Sequence, residues 1–175
     1  IFQWIHQKQA NSFEQMTNLP ADLRKKLDQT CEIPGISIRR KLVSQIDGTI
    51  KYLYEFSDGE TVESVLMQYE HGYSLCISTQ VGCRMGCRFC ASTQAASPLM
   101  GLERSLTPAE MLNEVYMAGK DSGQKISSIV LMGIGEPLDN FDNVMDFLEI
   151  LSSLQGLNLS LRHVSLSTCG LVDGI

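Results

Sequence analysis

The stretch Tyr73-Ser74-Leu75-Cys76-Ile77-Ser78-Thr79-Gln80-Val81-Gly82-Cys83-Arg84-Met85-Gly86-Cys87-Arg88-Phe89-Cys90 decides how the chain is read. Tyr73–Thr79 reads as a short strand that runs straight into a cysteine loop. That loop holds three of the six cysteines in the pattern C-x₃-C-x₂-C. Three thiolates this close can hold three corners of a cubane iron–sulfur cluster. A cluster held entirely by protein takes four, and the next cysteine is Cys169. Three ligands therefore imply one iron with an open position. A zinc site is the competing reading, but structural zinc wants four ligands, often as two separated pairs. Here there is one triplet, and the nearest preceding histidine, His71, lies outside the loop.

Working outward, Ile36–Ile46, Thr49–Phe56 and Thr61–Tyr69 are rich in β-branched and aromatic residues. Asp47-Gly48 and Asp58-Gly59 separate them as hairpin signals, which predicts a β-meander. Residues 1–28 read as helical: Ile1, Phe2 and Ile5, then Leu19, Leu23 and Leu27, recur at helical spacing. Leu19-Pro20-Ala21-Asp22 marks a helix start. Downstream, Ala91–Ser105 reads as irregular. Thr107-Pro108-Ala109-Glu110 is a capping box opening a helix to about Lys120. Ile126–Met132 is a buried strand ended by Gly133-Ile134-Gly135-Glu136-Pro137. Phe141–Leu154 carries Phe141, Val144, Met145, Leu148 and Leu151 on one helical face, and Leu161–Ser167 is the next strand. Alternating strands and helices imply parallel strands with right-handed crossovers. The expected class is α/β: the first strands of a (β/α)₆ barrel at 73–175, preceded by a helical domain at 1–33 and the meander at 34–72.

The bulk numbers agree with a packed domain. The chain has 175 residues, 43% apolar and 19% charged, and can bury a core. It has no apolar run of membrane-spanning length and no secretory signal. Clustered cysteines without such a signal point to a reducing cytoplasm and a metal site rather than a disulfide framework. The net charge of −6 is uneven. Residues 1–41 carry seven Lys/Arg against four Asp/Glu, and residues 42–175 carry seven against sixteen. A polyanion would therefore meet the front, where Arg24-Lys25-Lys26 faces solvent or phosphate. Beginning without Met and ending just after a strand, the chain reads as a fragment.

Ligands of parallel α/β sheets bind at the carboxyl ends of strands. The cysteine loop, Gly135-Glu136-Pro137 and Ser167-Thr168-Cys169-Gly170 all fall there and converge on one mouth. An open iron is what a radical S-adenosylmethionine (SAM) enzyme needs, because SAM chelates it and receives its electron. The glycines of 133–137 let backbone approach the amino-acid part of SAM, Glu136 can accept from its ammonium, and Ser167 or Thr168 can bond its ribose or carboxylate. A lone strand cysteine such as Cys76 is most often a small core residue. Beside a radical site it can instead be a redox-active thiol. Glu63 reads as an exposed strand position, and nothing local makes it a base.

Cys76–Cys83, the C-x₃-C-x₂-C loop with Ala91-Ser92-Thr93, Met132–Pro137 and Leu166–Gly170 together resemble the RlmN group of radical SAM methyltransferases. Phe2–Lys8 with Met16–Leu19 resembles that group's N-terminal helical domain. The resemblance implies methylation at C2 of adenosine in 23S rRNA and in some tRNAs, in the cytoplasm, by a monomer with a reducing partner such as flavodoxin. It implies a 4Fe-4S cluster on Cys83, Cys87 and Cys90, with SAM contacted by Gly135, Glu136 and Ser167. In the implied mechanism one SAM methylates a C-terminal cysteine, and a second is cleaved to a radical that activates that methyl group. The carbon radical adds to adenine, Glu63 accepts the ring proton, and Cys76 forms the disulfide that releases product. Two departures stand out: no methyl-carrying cysteine is present, so the isolated chain is expected to be inactive, and the loop Gln94–Leu102 is several residues longer than the family pattern. The alternatives are a Cfr-like C8 methyltransferase, marked off by Pro137, another radical SAM enzyme, or a zinc-binding RNA-interaction module.

Overall fold

The computed structural model describes residues 1–93 and 101–175. Two short helices lead, α1 (Phe2–His6) and α2 (Ala21–Thr30). Strands β1 (Ser37–Val43), β2 (Ile50–Glu55), β3 (Thr61–Tyr69), β4 (Gly72–Ile77), β5 (Gln80–Cys83) and β6 (Gly101–Ser105) follow. Then come α3 (Pro108–Ser122), β7 (Ile126–Leu131), α4 (Phe141–Ser152) and β8 (Val164–Leu166). One six-stranded sheet has the order β1-β2-β3-β4-β7-β8. The meander half is antiparallel, while β4, β7 and β8 run parallel. The expected α/β half-barrel architecture is therefore present.

The hairpins form where expected, for local reasons. Asp47 Oδ1 accepts from Thr49 N at 3.1 Å and Asp58 Oδ1 accepts from Glu60 N at 3.0 Å. The following Gly48 and Gly59 take φ of +72° and +87°, which L side chains resist. The helix α3 opens on the expected capping box: Glu110 N donates to Thr107 Oγ1 and Thr107 N donates to Glu110 Oε2. Left-handed Gly123 ends it.

Alternation along β3 sorts the sheet's two faces. Val62, Ser64 and Leu66 are buried, while Thr61, Glu63 and Val65 are half-buried. The buried face, with Tyr52, Tyr54, Leu75, Ile77, Ile129 and Leu131, packs on Met111, Leu112, Val115 and Ala118 of α3 and on Val144, Phe147 and Leu151 of α4. Parallel crossovers put both helices on this one face. A separate small core of Ala10, Phe13 and Met16, flanked by Trp4, Ile5, Leu19, Leu27 and Ile33, holds the front end together.

Four expectations need correction. The irregular span 91–105 contains β6, which pairs antiparallel with β5; Gln94–Met100, the main part of the loop expected to be long, lies outside the described residues. The α4 stripe is rotated: Phe147 points inward, whereas Phe141 and Met145 are 42% and 37% exposed. The helix touches the sheet along the narrow line 144-147-151, so apolar residues at its margin stay in contact with solvent. The strand placed at Leu161–Ser167 is only three residues, because Leu161–His163 form a tight turn started by Ser160. The front 28 residues are not continuously helical but two helices and a single turn at Phe13–Gln15.

The rotated stripe is measurable. Phe147→Ala should cost about 3–5 kcal/mol of unfolding free energy through the cavity it leaves. Met145→Ala should cost well under about 1 kcal/mol. Denaturant titration of both variants distinguishes the two positions, and equal losses would contradict the observed helix orientation.

Candidate functional site

The carboxyl ends of β4, β7 and β8 lie side by side, and the chain leaving each is woven to its neighbours by backbone. Gly133 N donates to Ile77 O at 2.9 Å, and Ile134 O accepts from Thr79 N and Gln80 N at 2.8 and 3.2 Å. Ser167 N donates to Leu131 O at 3.2 Å. Ser78 adds side-chain ties: its Oγ donates to Glu63 O at 2.7 Å and accepts from Ile134 N at 3.0 Å. Gln80 Oε1 accepts from Glu136 N, and Asn140 Nδ2 donates to the carbonyls of Thr79 and Leu106. The three segments expected to share one mouth thus do so.

The glycines at 133 and 135 are explained by this packing. A Cβ on Gly133 would lie 2.6 Å from Ile77 O, and one on Gly135 would lie 2.7 Å from Gln80 Cβ. Gly135 also has φ of +108°. The room that these glycines make is filled by the 77–80 corner, a use that their motif alone did not reveal.

Cys83 ends β5, and Cys87 and Cys90 follow in a loop closed by Cys90 N donating to Cys87 O at 3.0 Å. All three are half-buried, and no disulfide joins any of the six cysteines. Burial pushes the Cys83 thiol up, opposed by the Met85 N–H and reinforced by the charges of Cys87, Cys90 and Glu136. The three thiols and Glu136 therefore lie within one another's field. Among the described residues no three metal-binding side chains converge on a single ion. A cluster instead offers each thiolate its own iron, so this donor set fits a cluster. Arg84 is pinned by an ion pair with Asp139, which also accepts from Gln80 Nε2 at 3.1 Å. Phe89 is 89% exposed.

Glu136 is buried and binds protein through both oxygens. Oε1 accepts from Leu138 N at 3.0 Å and Oε2 from Cys169 N at 2.7 Å. Burial works to raise this carboxyl, but donors from Cys169, Thr168 and Leu138 outweigh it and hold it below its usual range. Each carboxylate oxygen can accept a second bond, so Glu136 keeps acceptor capacity for an ammonium. Ser167 stands half-buried beside this tie, at the end of β8.

Cys76 and Glu63 are on the sheet face opposite the helices. Cys76 pairs with Val65 on β3 and with Val130 on β7, and Glu63 is one pleat before Val65. Burial pushes the Cys76 thiol up, partly offset by a bond from Met132 backbone. Glu63 is ion-paired with Lys51 Nζ at 2.8 Å. Strand pairing thus brings the two residues to one face near the mouth, which local sequence did not indicate for Glu63.

Glu114 of α3 was missed by sequence reasoning. It is fully buried and accepts from Ser64 Oγ and, at 3.2 Å, from Ser78 N. Burial pushes its carboxyl up to about 8, against the Ser64 and Ser78 bonds. Its signal was present: position 114 falls within the inward stripe of Met111, Val115 and Ala118, where a carboxylate is out of place.

The parallel strand–helix array with a three-cysteine loop at its carboxyl end is of the radical SAM barrel class. The radical SAM superfamily model matches residues 77–174, and the model for the N-terminal domain of the ribosomal RNA large subunit methyltransferase matches residues 1–33. The chain belongs to the radical SAM superfamily. It is 52% identical over 172 residues to a probable dual-specificity RNA methyltransferase RlmN of Lachnoclostridium phytofermentans, covering 98% of this chain and 47% of that protein. With the corresponding protein of Clostridium novyi it is 47% identical over 175 residues, covering 100% and 50%. A crystal structure of a radical SAM methyltransferase from Sphaerobacter thermophilus matches with a TM-score of 0.83 at 36% identity, covering 98% of this chain and 50% of that one. The chain thus spans about half the length of these relatives.

Two tests follow from the geometry. Gly135→Ala should lower stability by about 2 kcal/mol or more, through left-handed strain and overpacking. Gly86→Ala has φ of +64° but open space around its Cβ, so strain alone should cost about 1 kcal/mol. The second test is a pH series on Glu114→Gln. The folded state keeps a proton that the unfolded chain releases above about pH 4.5, so the wild-type contribution falls as pH rises from there to about 8 and then levels. The Gln variant lacks this slope and should gain on wild type between those limits; parallel melting curves across pH would contradict the assignment.

Proposed function

We propose that the chain is the front part of a radical SAM methyltransferase that methylates C2 of adenosine in 23S rRNA and in tRNA. The observation that carries this reading is the Cys83–Cys90 loop at the carboxyl end of a parallel half-barrel whose first strand, β4, carries Cys76. A 4Fe-4S cluster would be held by Cys83, Cys87 and Cys90, and SAM would meet Gly135, Glu136 and Ser167. When bound, the two supply the radical chemistry that an aromatic C–H carbon requires, since that carbon is too weak a nucleophile to attack SAM directly.

The remaining steps fall to this chain's own groups. Glu63, ion-paired with Lys51 on the sheet face away from the helices, would accept the ring proton. Cys76 forms a transient disulfide with a methyl-carrying cysteine outside these 175 residues. The sulfur–sulfur bond forms as the carbon–sulfur bond of the adduct breaks. The electron pair goes to the carbon attached to the adenine, which takes up a proton to become the methyl group while the ring proton goes to Glu63. An external dithiol reductant reopens the disulfide. A single-electron donor such as flavodoxin and a monomeric enzyme in the cytoplasm complete the reading. No helix among the described residues is long and apolar enough to cross a membrane.

Anaerobic reconstitution with iron and sulfide should give a brown protein absorbing near roughly 400 nm, as thiolate-bound clusters do. Cys83→Ala, Cys87→Ala and Cys90→Ala should each lose that band. Binding of zinc but not iron would overturn the reading. In the full-length enzyme, Cys76→Ala should accumulate a covalent enzyme–RNA adduct; normal release of methylated RNA would count against its role. The 175-residue chain alone should show no turnover on RNA. Mass spectrometry of the full-length enzyme's product separates C2 from C8 methylation.

A further inference from the structure

Ser78 hydrogen-bonds Glu63, Glu114 and Ile134, and Glu114 has no role in the chemistry proposed above. Its amide donates to Glu114 Oε2 and its hydroxyl bridges Glu63 O and Ile134 N. One carboxyl on α3 therefore reaches from the helix side to the corner where the cluster loop departs, where the 133–136 turn docks and where the Glu63 strand passes. The same oxygen also accepts from Ser64 Oγ, one residue beyond Glu63.

This carboxyl is unusual for its surroundings. Its residue is fully buried, and its Oε1 has no hydrogen-bond partner among the described residues. Among the described residues no Lys, Arg or His pairs with it. Burying a carboxyl without a counter-ion opposes folding. An apolar side chain would fit the stripe of Met111, Val115 and Ala118 at lower cost. What an apolar side chain lacks is an acceptor for the Ser64 hydroxyl and the Ser78 amide, two donors that would otherwise be buried unpaired.

We propose that Glu114 is a positioning residue: through Ser64 and Ser78 it holds the cluster-bearing corner, the 133–136 turn and the Glu63 strand in one relative arrangement. The proposal rests on the function proposed above for that site. Because the Glu114 carboxyl is pushed up to about 8, it does this work as a neutral group near pH 7, and an amide can replace it.

The test uses the full-length enzyme with Glu114→Gln, Glu114→Leu and Ser78→Ala. Amide hydrogen exchange is read on the metal-free protein, and SAM dissociation constants and electron paramagnetic resonance spectra on the reconstituted one. Glu114→Leu should speed exchange at least tenfold in residues 78–83 and 133–136 together, while the middle of α3 stays protected. It should take up iron normally, weaken SAM binding at least tenfold and alter the spectrum of the SAM-bound cluster. Ser78→Ala should reproduce these effects, so the test survives if the Leu variant does not fold. Glu114→Gln should stay within about twofold of wild type, because its amide oxygen accepts from the same donors. A folded Glu114→Leu or Ser78→Ala protein that binds SAM like wild type overturns the proposal, as does a Gln variant as defective as Leu. Wild-type protein that takes up neither cluster nor SAM overturns the functional reading and this proposal with it.

Discussion

The backbone weave between the ends of β4 and β7 is the constraint from which the rest of the site follows. Gly133 N meets Ile77 O, and Ile134 O meets the amides of Thr79 and Gln80. These bonds require two chain segments to approach within backbone distance, which excludes any Cβ at 133 and 135. Once they form, β5 can leave only in one direction, and Cys83 at its end is placed relative to Glu136. Gln80 repeats the tie through its side chain, bonding Glu136 N and Asp139. Asp139 in turn holds Arg84, the first residue of the cysteine loop. A loop that carries reactive thiols thus has a fixed base although its outer part is exposed.

Much of this was readable beforehand because the signals were local. Turn residues at 47–48 and 58–59, the capping box at 107–110 and the glycine-bounded strand at 126–131 act within a few residues of themselves. Their elements appear where expected. The β5–β6 hairpin was not readable. Gly101-Leu102-Glu103-Arg104-Ser105 has no β-branched residue, and its pairing depends on distant support. Arg104 is clamped by Glu110 of α3 and by Asp58 in the β2–β3 turn. No window of sequence contains all three.

The site divides along the same line. The three cysteines were legible as a group because their C-x₃-C-x₂-C spacing is local to one loop. Glu63 was not, since its relation to Cys76 depends on the β3–β4 register: Val65 opposite Cys76 puts both residues on the face away from the helices. Shifting that register by one residue would turn Glu63's strand over and send it into the dry core. Glu136 was recognised as chemical but not as structural. Its bonds to Leu138 and Cys169 show that it also fastens the end of β8 to the β7 turn.

The two faces of the sheet explain why the chemistry gathers where it does. One face is closed by α3 and α4, with Tyr52, Val62, Leu75, Ile77 and Ile129 all dry against them. On that face the Ser64 hydroxyl is matched internally, by Oε2 of Glu114. The other face carries Glu63, Val65, Cys76 and Val130, none fully buried. Glu63 pairs with Lys51 there, away from the desolvation that a core position would impose. The Cys76 thiol is half-buried beside the Met132 backbone. Alternation alone thus gives β3 a dry side and a more open side: its even and odd residues face opposite ways, and Ser78 past the next strand's end bonds to groups on both.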